Sequence, residues 1–178
     1  MKVLGSTALP PNVVNAGFMC SVPPSGNGPM TKRFLLRDLG LSFKITVGFV
    51  LKRVASDEKI CRELFFDESL SDQDLQRWMT GFEKDSRVTI DLLDLAKKLP
   101  SDDLEAKANV EELLERWAHR PLCLGATEDN VVDKEGVDEI ARFFNTKAVI
   151  CESPHDVMLG RKWENTAWEI LDWYRKVN

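Results

Sequence analysis

The chain has 178 residues, 43% of them hydrophobic and 30% charged, the profile of a single globular domain able to bury a core. A net charge of -5 speaks against a nucleic-acid partner, which needs a concentrated basic surface, and the cluster Lys32, Arg33 and Arg37 is too small to reverse that. The longest apolar stretch, Ile45 to Leu51, is interrupted by Thr46 and Gly48 and is too short to span a bilayer.

Met1 to Thr7 reads as a short strand cut off by Pro10 and Pro11. Lys2 is followed by too little apolar sequence for a signal-peptide core, so an intracellular, cytoplasmic location is expected. Residues 8–30 are rich in Pro, Gly, Asn and Ser, and Pro23-Pro24-Ser25-Gly26-Asn27-Gly28-Pro29 predicts a turn or loop. A helical block follows to about residue 118. Ser56-Asp57-Glu58-Lys59 opens a helix carrying Ile60, Leu64 and Phe65, and Ser71-Asp72-Gln73-Asp74 opens one carrying Leu75, Trp78 and Met79. A third is expected through Ile90, Leu92, Leu93 and Leu95, and a fourth from a Ser101 cap to about Trp117.

From Pro121 the rhythm changes. Leu122–Ala126 is an expected strand, Lys134–Phe144 a helix with Val137, Ile140, Ala141 and Phe144 inward, and Ala148–Cys151 a second strand. Arg161–Lys176 is a closing amphipathic helix with Trp163, Trp168, Ile170, Leu171 and Trp173. Alternating strands and helices signal a parallel sheet. With Met1–Ser6 as a neighbour, this predicts three parallel strands.

The four cysteines, Cys20, Cys61, Cys123 and Cys151, lack Cys-x-x-Cys spacing and are read as reduced thiols. No Gly-x-Gly-x-x-Gly, P-loop or His-x-x-x-His is present, so no cofactor and no metal are expected. Phe18, Met19, Phe65, Phe66 and Trp78 fit either core packing or an apolar channel.

Two residues carry chemistry. His155 follows Ser153-Pro154 in a turn after the second strand, where an imidazole can be held by backbone and still exchange protons near neutrality. His119, at a helix end before Pro121, reads as a helix-terminal residue. Asp129 lies in a turn past the strand that precedes His155. It competes with Glu128, which points outward, with Asp133, which suits the N-cap of the helix at Lys134, and with Asp156, which braces its own loop. An acid after one strand and a histidine after the next can form the pair in which a carboxylate fixes the tautomer of a general base.

On these residues the chain resembles the α/β-hydrolase superfamily, specifically serine hydrolases with a helical cap. Pro121-Leu122-Cys123-Leu124-Gly125-Ala126-Thr127-Glu128-Asp129-Asn130 is similar to the family's acid-bearing strand and turn. Pro154-His155-Asp156-Val157-Met158-Leu159, with Trp163-Glu164 beyond, is similar to its histidine loop and last helix, and Val3-Leu4-Gly5-Ser6-Thr7 with Pro10 to the strand after the nucleophile elbow. The resemblance implies one partial α/β-hydrolase domain over residues 1–178. Residues 8–118 would be the cap or lid, and 119–178 the acid- and histidine-bearing units.

The triad order of this fold is nucleophile, acid, histidine, and no Gly-x-Ser-x-Gly elbow occurs in the chain. Ser6 lacks the flanking glycines and cannot replace it. The implied parent activity is hydrolysis of an ester, amide or thioester, with Asp129 and His155 as catalytic residues and a small acyl-type substrate. Without the elbow the parent's nucleophile is left open between Ser and Asp. This chain, a truncated isoform or an incomplete reading of a longer gene, is expected to be inactive alone and to self-associate through its open sheet edge. The alternative is a non-catalytic binding or regulatory module on the same scaffold.

Overall fold

A computed structural model gives the structure of the chain and describes residues 13–40, 43, 45, 53–84, 99–117 and 119–177. Its centre is a three-stranded parallel sheet in the order β1 (Gly17–Met19), β2 (Leu122–Glu128), β3 (Ala148–Pro154). Around it lie α1 (Asn27–Arg37), α2 (Glu58–Phe65), α3 (Asp72–Lys84), α4 (Leu104–Arg116), α5 (Lys134–Phe143) and α6 (Trp163–Val177), with a 3-10 turn at Arg53–Ala55. The protein is therefore of the α/β class, with helices flanking a parallel sheet. No helix among the described residues is long and apolar enough to cross a membrane.

Strand β2 organises the packing because both of its faces are covered, as a central parallel strand requires. Leu122, Leu124 and Ala126 point to one side and join Cys20, Cys151 and Val157, with Ile170 and Trp173 of α6 packed on them. Cys123 points to the other side, with Ile140 and Ala141 of α5, its C-cap Phe144, and Val110 of α4. On that side Met30 and Phe34 of α1 also meet Val132 and Val137. A separate apolar cluster, Cys61, Phe66, Leu70, Leu75 and Met79, ties α2 to α3. All four cysteines are buried free thiols.

The expected inward face of α5 is observed, with Val137, Ile140, Ala141 and Phe144 all buried. Asp133 is its N-cap, accepting from the Gly136 amide at 3.0 Å. The same carboxylate takes two bonds from the Arg33 guanidinium, at 2.5 and 2.6 Å, and so fastens α1 to the start of α5. Burial alone would raise the Asp133 carboxyl, but Arg33, the Gly136 amide and Arg37 together hold it below its ordinary range.

Several expectations change. The strand beside β2 is Gly17–Met19, within residues 8–30 where a loop was expected; Met1–Ser6 lies outside the described residues. A three-residue strand is too short to show periodicity, and its apolar run is masked by the Pro- and Gly-rich sequence after it. That sequence does turn, with the Gly26 amide donating to the Pro23 carbonyl at 2.8 Å and Gly26 at φ 73, but it leads directly into α1. The fourth expected helix is capped by Asp103, not Ser101. The Asp103 carboxylate reaches the Glu105 and Ala106 amides at 2.9 and 3.2 Å, while the Ser101 hydroxyl is turned to Asp102. The helix expected at Ile90–Leu95 lies outside the described residues. On α6, Trp163, Trp168 and Leu171 are exposed, because Thr166, Ile170 and Trp173 form the stripe that faces the sheet.

Gly125 marks the closest approach of α5 to the sheet: a Cβ there would lie 2.6 Å from Val137 Cγ2 and 3.2 Å from Ile150 Cδ1. Gly125→Ala should destabilise the fold by about 1–3 kcal/mol through overpacking, measured by urea unfolding. Asp133→Asn, which keeps a capping oxygen but loses the charge, should cost roughly 1–3 kcal/mol at neutral pH. Because the folded carboxyl is depressed, that stabilisation is full above the unfolded value of about 3.9 and is lost as pH falls below it. The gap between wild type and Asp133→Asn should therefore close in acid, and a gap independent of pH would show that the charge on Asp133 contributes nothing.

Candidate functional site

Parallel neighbours send their carboxy-terminal ends to the same edge of a sheet, so the residues after β2 and β3 emerge side by side. A register shift between Ala126 and Glu128 brings Glu128 opposite Pro154, which sets the next residues, Asp129 and His155, against one another. The His155 Nδ1 lies 2.9 Å from both Oδ1 and Oδ2 of Asp129. The Asp129 side chain is 2% exposed and that of His155 16%, so the carboxylate is sealed while the ring keeps a route to solvent.

The carboxylate is fixed by its own turn. Its Oδ1 accepts the Val131 and Val132 amides at 2.7 and 2.8 Å. An ionised carboxylate can only accept, so the Nδ1 facing it carries the proton, which in a neutral ring places the lone pair on Nε2.

Helix α2 secures both loops. The Glu63 carbonyl accepts from Asn130 Nδ2 at 2.8 Å, and the Phe65 carbonyl accepts from the Asp156 amide at 2.9 Å. Phe65 also sets its ring edge-on to the His155 imidazole, 5.2 Å between centroids at 74°. The acid loop and the histidine loop are thus held by one helix end.

The competing acids fall where the sequence placed them. Glu128 pairs with Lys162 at the surface, Asp133 caps α5, and Asp156 accepts the Met158 and Leu159 amides of its own loop. Burial pushes the Asp156 carboxyl up. His119 is half-buried, and its carbonyl accepts from Asn15. Ser21 donates its hydroxyl to the Met19 carbonyl, Ser153 is fully buried, and Ser6 lies outside the described residues. Of the aromatic candidates, Phe66 and Trp78 belong to the α2–α3 cluster. Phe18 stacks on Phe144 beside a cavity of about 140 Å³, which Val110 and Phe143 also line.

Sequence reasoning missed Cys20. It follows β1, its amide donates to the Leu124 carbonyl at 2.9 Å, and its Sγ lies within 4.8 Å of an Asp129 oxygen and a His155 ring nitrogen. No motif announces it, since it arrives at the pair only through the pairing of β1 with β2. Burial first, and the neighbouring Asp129 carboxylate second, push its thiol well above the ordinary range. It therefore stays protonated at neutral pH and is not a nucleophile. Sulfur, carboxylate and imidazole are also zinc-ligand types. Here the ring nitrogen and the carboxylate are spent on each other and Oδ1 is further occupied by two amides, so the donor set fits a hydrogen-bonded acid–base pair better than a metal centre.

Comparison of the chain with protein-family models, characterised proteins and solved structures finds no match.

Asn130→Ala should cost about 0.5–1.5 kcal/mol by removing the bond to the Glu63 carbonyl. The loss should appear in chemical unfolding, and as faster amide exchange at Val131 and Val132 than in distant helix α4. Unchanged exchange would show that α2 does not hold the acid loop.

Proposed function

We propose that the chain is the acid- and histidine-bearing part of an α/β-hydrolase. In this reading Asp129 orients His155, which acts as general base and then general acid in hydrolysis of an ester, amide or thioester. The observation that carries the reading is the 2.9 Å contact of His155 Nδ1 with both Asp129 oxygens, made by loops that leave adjacent parallel strands at the same edge. The geometry supplies what such a base needs. The carboxylate is buried, braced by two backbone amides and turned to Nδ1, an arrangement that reserves the second ring nitrogen for a nucleophile's proton.

Three further features support the hydrolase reading over a coincidental pair. Acid and histidine follow successive strands in the family's chain order. A helical block precedes them, as a cap would. One helix of that block, α2, contacts both loops through Asn130 and Asp156. No Gly-x-Ser-x-Gly occurs in the sequence, so in this reading the nucleophile of acyl transfer would be supplied from outside it.

The purified chain should therefore hydrolyse short acyl esters no faster than its His155→Ala variant. Sequencing the transcript upstream of the Met1 codon should reveal an in-frame Gly-x-Ser-x-Gly or an equivalent aspartate elbow. In a protein extended to include it, His155→Ala should lower kcat by about a thousandfold or more. An extended protein whose turnover ignores His155, or an upstream region with no elbow, would overturn the hydrolase reading and favour a binding module.

A further inference from the structure

We infer that helix α6 carries a docking face for a second copy of this chain, the two helices packing antiparallel about a two-fold axis. The helix has two stripes. Thr166, Ile170 and Trp173 face the sheet. Glu164, Trp168, Leu171 and Arg175 recur on the opposite side at steps of four, three and four residues, the spacing of a two-helix seam. That seam lies in solvent. Trp168 is 62% exposed and Leu171 42%, with Trp163 at 50% and Tyr174 at 57% beside them. A single exposed apolar side chain needs no explanation, but a group of them on one helix is the kind of patch that marks an interaction surface. Three aromatics left about half uncovered, together with the leucine, present roughly 300–450 Å². A standard interface buries about 800 Å² on each partner, somewhat more than half of it apolar, so this helix supplies most of what one side of a dimer needs.

The charges select the occupant and its direction. Glu164 and Arg175 are both exposed and stand at the two ends of the seam. In an antiparallel pair centred between Glu169 and Ile170, Glu164 faces Arg175 of the partner subunit, and Trp168 faces Leu171 of the partner subunit. The two-fold axis repeats each contact, so the same patch serves both sides of an isologous interface. A parallel pair would instead bring each charge against its own kind, which costs far more than an exposed ion pair contributes. The face is therefore complementary to itself in one orientation only. It is separate from the open edge of β1 and owes nothing to the reading of Asp129 and His155, so either inference can fail without the other.

Sedimentation of the whole chain across the micromolar range tests this. Wild type should pass from monomer to dimer as concentration rises. Trp168→Asp should weaken the dimer by about a hundredfold or more, since the lost anchor occurs twice in the interface. Glu164→Arg alone, and Arg175→Glu alone, should each weaken it by roughly tenfold or more, because each sets like charges against one another. The two charge changes combined should restore it, and that recovery also shows that the exchanged chain still folds. A chain that stays monomeric at every concentration overturns the inference. So does association that ignores Trp168→Asp and the single charge changes, which would place it at the edge of β1. A dimer weakened by the single changes and not recovered by the pair would overturn it too, since the antiparallel register requires the recovery.

Discussion

The carboxylate of Asp129 is the point on which the rest of the site depends. A buried charge is tolerable only when its lone pairs are satisfied, and here the partners come from different parts of the chain. Two amides come from its own turn and the imidazole from the loop after β3. Each partner fixes a segment that would otherwise be a free connection on the sheet edge. The Val131 and Val132 amides shape the turn that leads into the Asp133 cap, so the same few residues set the acid and start α5.

The sheet explains why so small a motif can be held so firmly. The buried stretch of β2, Leu122–Ala126, has no polar face, and its near neighbour β3 is reached through a helix whose buried side fills the space above it. Gly125 shows how closely that helix approaches, since even a methyl group would meet Val137. With the strands locked in register by packing on both sides, the positions just beyond their ends are determined to within a hydrogen bond, as a positioned base requires. The helical block reaches both loops at the end of α2, where the Glu63 and Phe65 carbonyls accept from Asn130 and Asp156.

Much of this was legible in the sequence wherever local chemistry and tertiary burial agree. The β2–α5–β3 unit announces itself because its strands are apolar runs, its helix is amphipathic, and Asp133 is a good cap before that helix. The sequence also singled out Asp129 and His155, since a turn aspartate and a turn histidine stand out against apolar strands. Strand β1 was hidden because three residues carry no period and Pro23 and Pro24 suggest only a loop. Cys20 was hidden for a deeper reason: its partners lie far away in the chain, and nothing local distinguishes it from a buried small apolar residue. Trp163 and Trp168 of α6 misled in the opposite direction, because an aromatic at helical spacing looks like core until the stripe through Thr166, Ile170 and Trp173 is known.

The register of the sheet also has a consequence in time. Cys123 and Ala148 are paired across about twenty-five residues, whereas Gly17 and Leu122 are paired across about a hundred, so the second pairing closes a far larger loop. The two closures differ in chain entropy by about 1 kcal/mol, and long-range pairing is the slower kind. Assembly is therefore expected to run in two stages, with β2, α5 and β3 condensing early and the first strand docking afterwards. The aspartate and histidine would meet in the early stage and the cysteine would arrive in the late one. A chain caught between the two would hold a formed pair still open to water on the side that β1 later covers.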